Sequence, residues 1–179
     1  MIITISGKAG SGKSTVAKLV AERLKLKHYS IGDLMRKLAK EKGMPLNEIS
    51  RLAEKDKSID MELDKKTIGL REKDNFVIDG RLTAYFLPYA DLKIFLDCED
   101  RIRAERILKD KRNDETSRSL KELAKKIRQR EQSERKRYNK LYSIDYHDRK
   151  LYNMVIDTTQ LGINEVVSEI INSIPGITK

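Results

Sequence analysis

Residues 7–15, GKAGSGKST, satisfy the pattern G-x-x-x-x-G-K-[ST] in full, with Gly7, Gly12, Lys13 and Ser14 in the specified places. The stretch follows an apolar, β-branched run, MIITIS, and precedes Val16, Leu19, Val20 and Leu24 at helical spacing. Glycines between a strand and a helix let successive backbone N–H groups converge on phosphate oxygens, and the helix adds its positive dipole end. Gly7, Lys8, Ala9, Gly10, Ser11, Gly12, Lys13, Ser14 and Thr15 are therefore expected to cradle the phosphates of a nucleoside triphosphate. Lys13 reaches its β- and γ-phosphates and the Ser14 hydroxyl ligates Mg²⁺. The γ-phosphoryl could then pass to water or to a second bound molecule, and only the latter needs a pocket of its own.

Three stretches could build that pocket. NFVIDGRL, residues 75–82, is an apolar run ending on Asp79 and Arg81. A carboxylate at the carboxyl end of a buried strand can hold Mg²⁺ or orient an acceptor, and the planar fork of an arginine suits phosphate. SIGDLMRKL places Ser30 and Arg36 beyond another strand end, where parallel α/β folds bind ligands. Leu120, Ile127, Glu134 and Leu141 recur every seven residues on one long helix, but every residue between Ile127 and Tyr138 is polar. An inward polar patch costs desolvation unless it is paired or serves a ligand. Arg130 and Arg137 are expected to meet phosphates there, with Glu134 orienting an arginine. The polar segment 107–118, with Arg106, Arg112 and Arg118 around it, reads as an arginine-bearing lid.

Five apolar runs (MIITIS, KHYSI, NFVIDG, LKIFLD, YNMVID) alternate with helical patterns, which predicts a parallel sheet covered on both sides. Residues 45–73 read as two short helices, and Ser119 with Glu122 as the capping box of the long one. One domain is expected over residues 1–179: a core (1–29, 74–106, 150–179), an acceptor-binding segment (30–73), and a lid with the long helix (107–149). Cys98 reads as a small core residue, and His28 and His147 as packing or surface residues.

The formal net charge is +10, and residues 101–150 carry 18 Lys/Arg against 9 Asp/Glu. That asymmetry implies an anionic partner, a small polyphosphate or a nucleic acid. RNA binders interleave aromatics with such charge, and residues 101–137 contain none, which favours the small ligand. No apolar run approaches the roughly 20 residues that span a bilayer, and MIITISG does not read as a signal peptide. A cytoplasmic setting is expected.

The ordered set of motifs resembles the nucleoside monophosphate kinases, and among them the cytidylate kinases of the short archaeal type. The likeness rests on ITISGKAGSGKST, SIGDLMR, VIDGR, LKIFLD, RAERIL, REQSERKRY and VIDTTQLGINEVV. It implies a three-layer α/β/α P-loop fold with a five-stranded parallel sheet, a helical acceptor-binding segment and a short lid. It also implies a monomer that passes the γ-phosphate of ATP to CMP and dCMP. By position, Ser30, Arg36, Asp79, Arg81, Glu134 and Arg137 would contact the acceptor. Arg106, Arg112 and Arg130 would serve the transferring phosphates, and residues 158–160 would lie by the donor base. Adenylate kinases and dephospho-coenzyme A kinases are the neighbouring alternatives, and a nucleotide-dependent RNA-binding protein is the alternative from another class. Bacterial members follow Asp-Gly-Arg with Asp, where this chain has Leu82. If that acid reads the base there, another residue must do so here.

Overall fold

A computed structural model describes residues 1–110 and 119–176. Arg112, Arg118 and most of the expected lid lie outside the described residues. Strand β1 (Ile2–Gly7) is buried throughout and occupies the centre of the sheet. It pairs on one side with β3 (Phe76–Asp79) and on the other with β4 (Leu92–Asp97). β2 (Lys27–Ser30) pairs with β3, and β5 (Met154–Asp157) with β4. Every pairing is parallel and the order is β2-β3-β1-β4-β5.

The alternation of side chains along each strand divides the core into two layers. Ile3, Ile5 and Val77 pack with Val16 and Val20 of helix α1 (Lys13–Leu24), and with Val166, Val167 and Ile170 of α8 (Ile163–Asn172). Ile2, Phe76 and Ile78 face the opposite layer, against Leu70, Leu87 and Ala90. With both faces covered, β1 and β3 are mostly apolar, and the polar Thr4 and Ser6 of β1 are buried with them.

Between β2 and β3 lie three helices, α2 (Ile31–Glu41), α3 (Leu46–Lys55) and α4 (Lys57–Ile68). They share a small core of Ala39, Ile49, Ala53 and Ile59. The sequence showed no sign of α5 (Thr83–Phe86), a single turn after β3. Helix α6 (Asp100–Lys109) packs on α7 (Leu120–Tyr142), whose N-cap Ser119 accepts from the Glu122 amide at 3.2 Å. At 23 residues α7 is about 35 Å long, enough to cross the whole carboxyl edge of the sheet. Its polar middle turns inward: Glu131, Glu134 and Arg137 are all buried.

Candidate active site

The loop between β1 and α1 starts with a backbone that only glycine tolerates. Gly7 has φ 141°, and a Cβ there would stand 2.2 Å from the Leu96 carbonyl oxygen. The Lys13 side chain folds back to donate to the Lys8 carbonyl at 2.6 Å. Burial, followed by the nearby Arg81 charge, pushes the Lys13 ammonium well below its usual range, against the pull of Asp79 and Glu134. An anion brought alongside would relieve that penalty. The Ser11 hydroxyl is 1% exposed and has no hydrogen-bond partner among the described residues, a further opening for a phosphate oxygen. Lys8 itself is pinned to Asp97 at 2.7 Å.

Asp79 ends β3 beside this loop at 2% exposure. Its Oδ2 accepts from the hydroxyls of Ser14 at 2.8 Å and Ser30 at 3.1 Å, and its Oδ1 meets His28 Nε2 at 2.8 Å. His28 is thus a residue of the site, a correction to its reading as packing or surface. The cause is the parallel register, in which Ser30 lies opposite Asp79 and His28 opposite Val77, two residues apart on one face. Ser30 also caps α2 by accepting from the Asp33 amide at 3.2 Å. Ser14 and Asp79 offer a hydroxyl beside a carboxylate, an all-oxygen set suited to Mg²⁺, which takes its remaining ligands from phosphates and water. Among the described residues no group of three or more His, Cys, Asp or Glu could hold a metal ion by itself.

Arg81 leans from β3 toward the phosphate loop, donating through Nη1 to the Gly7 carbonyl at 3.1 Å and through Nε to Glu134 at 2.8 Å. Its pKa rises despite burial because Glu134 stands beside it. Burial alone would raise the Glu134 carboxyl, but Arg81, and then Arg130, hold it down at about 2. Arg130 pairs with Glu134 at 3.7 Å, and Arg36 pairs with Asp33 one turn earlier on α2. The structure therefore gathers Lys13, Ser14, Ser30, Asp79, Arg81, Arg130 and Glu134 around the phosphate loop and the carboxyl end of β3.

Two further arginines of the expected set are held by protein groups. Arg137, expected at the phosphates, is buried and held by Asp60 of α4 at 2.8 Å, the Ser50 carbonyl of α3 at 3.2 Å and the Ser133 hydroxyl at 2.9 Å. It faces α3 and α4 because position 137 lies about 10 Å further along α7 than Arg130. Arg106, also expected at the phosphates, donates to the Thr158 hydroxyl at 3.0 Å and the Thr158 carbonyl at 2.7 Å. The Thr158 hydroxyl in turn donates to the Ser11 carbonyl of the phosphate loop at 3.2 Å, so Arg106 stands at the edge of that loop, beside residues 158–160.

Arg103 was missed altogether. At 1% exposure it donates to the Ala9 carbonyl at 3.1 Å and pairs with Glu131, which in turn accepts from the Ala9 amide at 3.2 Å. This pair clamps the outer side of the phosphate loop to α7. The sequence held a faint signal: Ile102 and Ala104 flank an arginine on a helix that must pack. Leu82 packs in the core with Phe86, Phe95, Ile144 and Tyr146, and the Tyr146 hydroxyl of that cluster donates to Glu134 at 3.4 Å.

A parallel sheet with a phosphate loop after its first strand, and an arginine-bearing cluster beside that loop, defines a P-loop phosphotransferase fold. Among solved structures, shikimate kinase from Bacteroides thetaiotaomicron is similar with a TM-score of 0.67 at 14% identity, covering 96% of this chain and 97% of that one. Shikimate kinase from Aquifex aeolicus gives 0.54 at 24% identity, covering 95% and 94%. The sequence decides the family: residues 2–160 match the model of the cytidylate kinase-like family, and the chain belongs to it. It is 43% identical to the cytidylate kinase of Pyrococcus horikoshii over 89% of this chain and 81% of that protein. It is 39% identical to that of Methanocaldococcus jannaschii over the full length of both.

Proposed function

We propose that the protein is a nucleoside monophosphate kinase that moves the γ-phosphate of ATP to CMP and dCMP, giving the nucleoside diphosphate and ADP. The observation that carries this reading is the contact of Arg81 with the Gly7 carbonyl, 3.1 Å, which puts a second guanidinium at the lip of the donor loop. A guanidinium there can neutralise the charge that develops between donor and acceptor phosphates. The acceptor phosphate is already ionised, so the residues have to position reactants and spread negative charge rather than remove a proton.

The loop amides and Lys13 bind the β- and γ-phosphates, while Arg81 and Arg130 neutralise charge between donor and acceptor. Glu134 keeps Arg81 extended toward the cleft. Asp79 fixes the Ser14 and Ser30 hydroxyls, and His28 fixes Asp79. Arg36 closes the acceptor side from α2. Mg²⁺, held by Ser14 with Asp79 beside it, would supply charge neutralisation across the donor phosphates. Arg106 and Thr158 line the donor base.

The test is a panel of CMP, dCMP, UMP and AMP with ATP and magnesium, followed by separation of the nucleotide products. CDP and dCDP are expected as the leading products. Preference for AMP overturns the acceptor assignment, and acceptor-independent ADP formation as the main activity overturns the kinase reading.

A further inference from the structure

The contacts above leave the base of the acceptor without a partner, and Leu82 is packed away among aromatics. Cytosine presents an amino donor at N4 next to an acceptor at N3, whereas uracil presents an acceptor at O4 next to an N3–H donor. A reader of cytosine therefore needs an acceptor beside a donor, within the acceptor-side helices.

Helix α7 orders its buried charges from donor to acceptor. Glu131 holds the phosphate loop at Ala9 (3.2 Å), Glu134 holds Arg81 (2.8 Å), and Arg137 holds α4 and α3 through Asp60 and the Ser50 carbonyl. Arg137 lies about 9 Å along the axis from Glu131, so an acceptor with its phosphate at Arg81 points its base toward Arg137. The hydrogen bonds at Arg137 leave a usable edge. Nε donates to Asp60 Oδ2 at 2.8 Å, and Nη1 spends both N–H groups on Ser50 and Ser133. Among the described residues Nη2 makes one contact, with Asp60 Oδ1 at 3.4 Å. One Nη2 N–H and the outer lone pairs of Oδ1 remain, a donor next to an acceptor. Asp60 and Arg137 are no more covered than residues already in the cleft: 2% and 7% exposed, against 2% for Asp79 and 8% for Lys13.

We propose that Asp60 and Arg137 read the acceptor base, with Asp60 Oδ1 accepting from the N4 amino group of cytosine and Arg137 Nη2 donating to N3. The proposal rests on the acceptor being a nucleoside monophosphate, as argued above. Uracil meets the same edge with both polarities reversed. The N6 and N1 atoms of adenine match it, so the pair separates amino bases from keto bases and leaves ring size to the surrounding helices.

The experiment compares the wild-type chain with Asp60→Asn and Asp60→Glu on CMP, UMP and AMP. Melting temperature and affinity for a fluorescent ATP analogue are measured on the same samples. Asp60→Asn can turn an amide N–H toward the base, so the CMP/UMP ratio of kcat/KM is expected to fall about 100-fold, with ATP affinity kept. Asp60→Glu keeps the charge and the pairing with Arg137 but moves the carboxylate; it should lose the same discrimination without loss of fold, and decides the matter if Asp60→Asn does not fold. A uniform loss on CMP and UMP, or an unchanged ratio in either folded variant, makes the pair a strut between α4 and α7 and overturns the base assignment. In both cases a wild type that prefers CMP leaves the kinase reading standing. A wild type that phosphorylates no nucleoside monophosphate removes that reading, and this inference with it.

Discussion

Lys13 and Glu134 carry opposite electrostatic burdens. The lysine is buried with more positive charge beside it, so its ammonium is most comfortable when phosphates arrive. Replacing it with alanine should lower kcat by about 10²–10³-fold, the scale for losing one group aimed at developing charge, with the far-UV circular dichroism spectrum unchanged. Near-normal turnover would remove Lys13 from the site. Glu134 is held down from its ordinary 4.5 to about 2 by Arg81 and Arg130, against the effect of burial. A depressed carboxylate contributes stability that is complete above the unfolded value and lost as pH falls through the folded one. The melting temperature should therefore fall between about pH 4.5 and pH 2. Glu134→Gln should flatten that part of the profile and lower the melting temperature at neutral pH, because Arg81 keeps its charge and loses its partner. A profile identical to the wild type would show that Glu134 does not carry the shift.

Among elements, α7 does most to assemble the site, because it runs past the phosphate loop, the end of β3 and the helices α3 and α4 in turn. Its grip on the donor loop passes through Arg103 and Glu131. Arg103→Met leaves a buried carboxylate without its partner and should cost about 3 kcal/mol in urea unfolding, and it should also raise KM for ATP by freeing Ala9. A stability loss with KM untouched would make the pair purely structural. The turn after β3 offers a contrasting test. Leu82→Asp, which restores the acid of the bacterial pattern, puts a charge among Phe86, Phe95 and Tyr146. It should lower the melting temperature without improving use of CMP, because position 82 faces the core. The helical periods and caps that define α7 were legible from residues 119–142. The grips themselves were not, because Glu131 meets Ala9 across 122 residues and Arg137 meets Asp60 across 77.

For the whole molecule, the excess of positive charge in residues 101–150 is partly folded inward. Arg103, Arg130 and Arg137 of that segment are turned toward carboxylates rather than out over a face. That placement suits small anions in a cleft. Raising KCl should increase KM for both nucleotides while leaving kcat nearly constant, since screening acts on encounter more than on buried groups. Tight, salt-sensitive RNA binding with RNA-stimulated ATP hydrolysis would favour the other class of protein. Among the described residues no helix is long and apolar enough to cross a membrane.

The phosphate loop, the five strands and the order of elements were determined by the sequence alone, because each depends on local chemistry. Glycine spacing, a period of two or 3.6, and caps within four residues all act over one turn or one strand. The tertiary structure alone decided which charge meets which. His28 reached Asp79 through the pairing of β2 with β3, Arg106 went to Thr158, and Arg137 went to Asp60. Such partnerships depend on where crossover connections bring separate elements together, and a buried charge has to find its counter-charge there, wherever in the chain that residue lies.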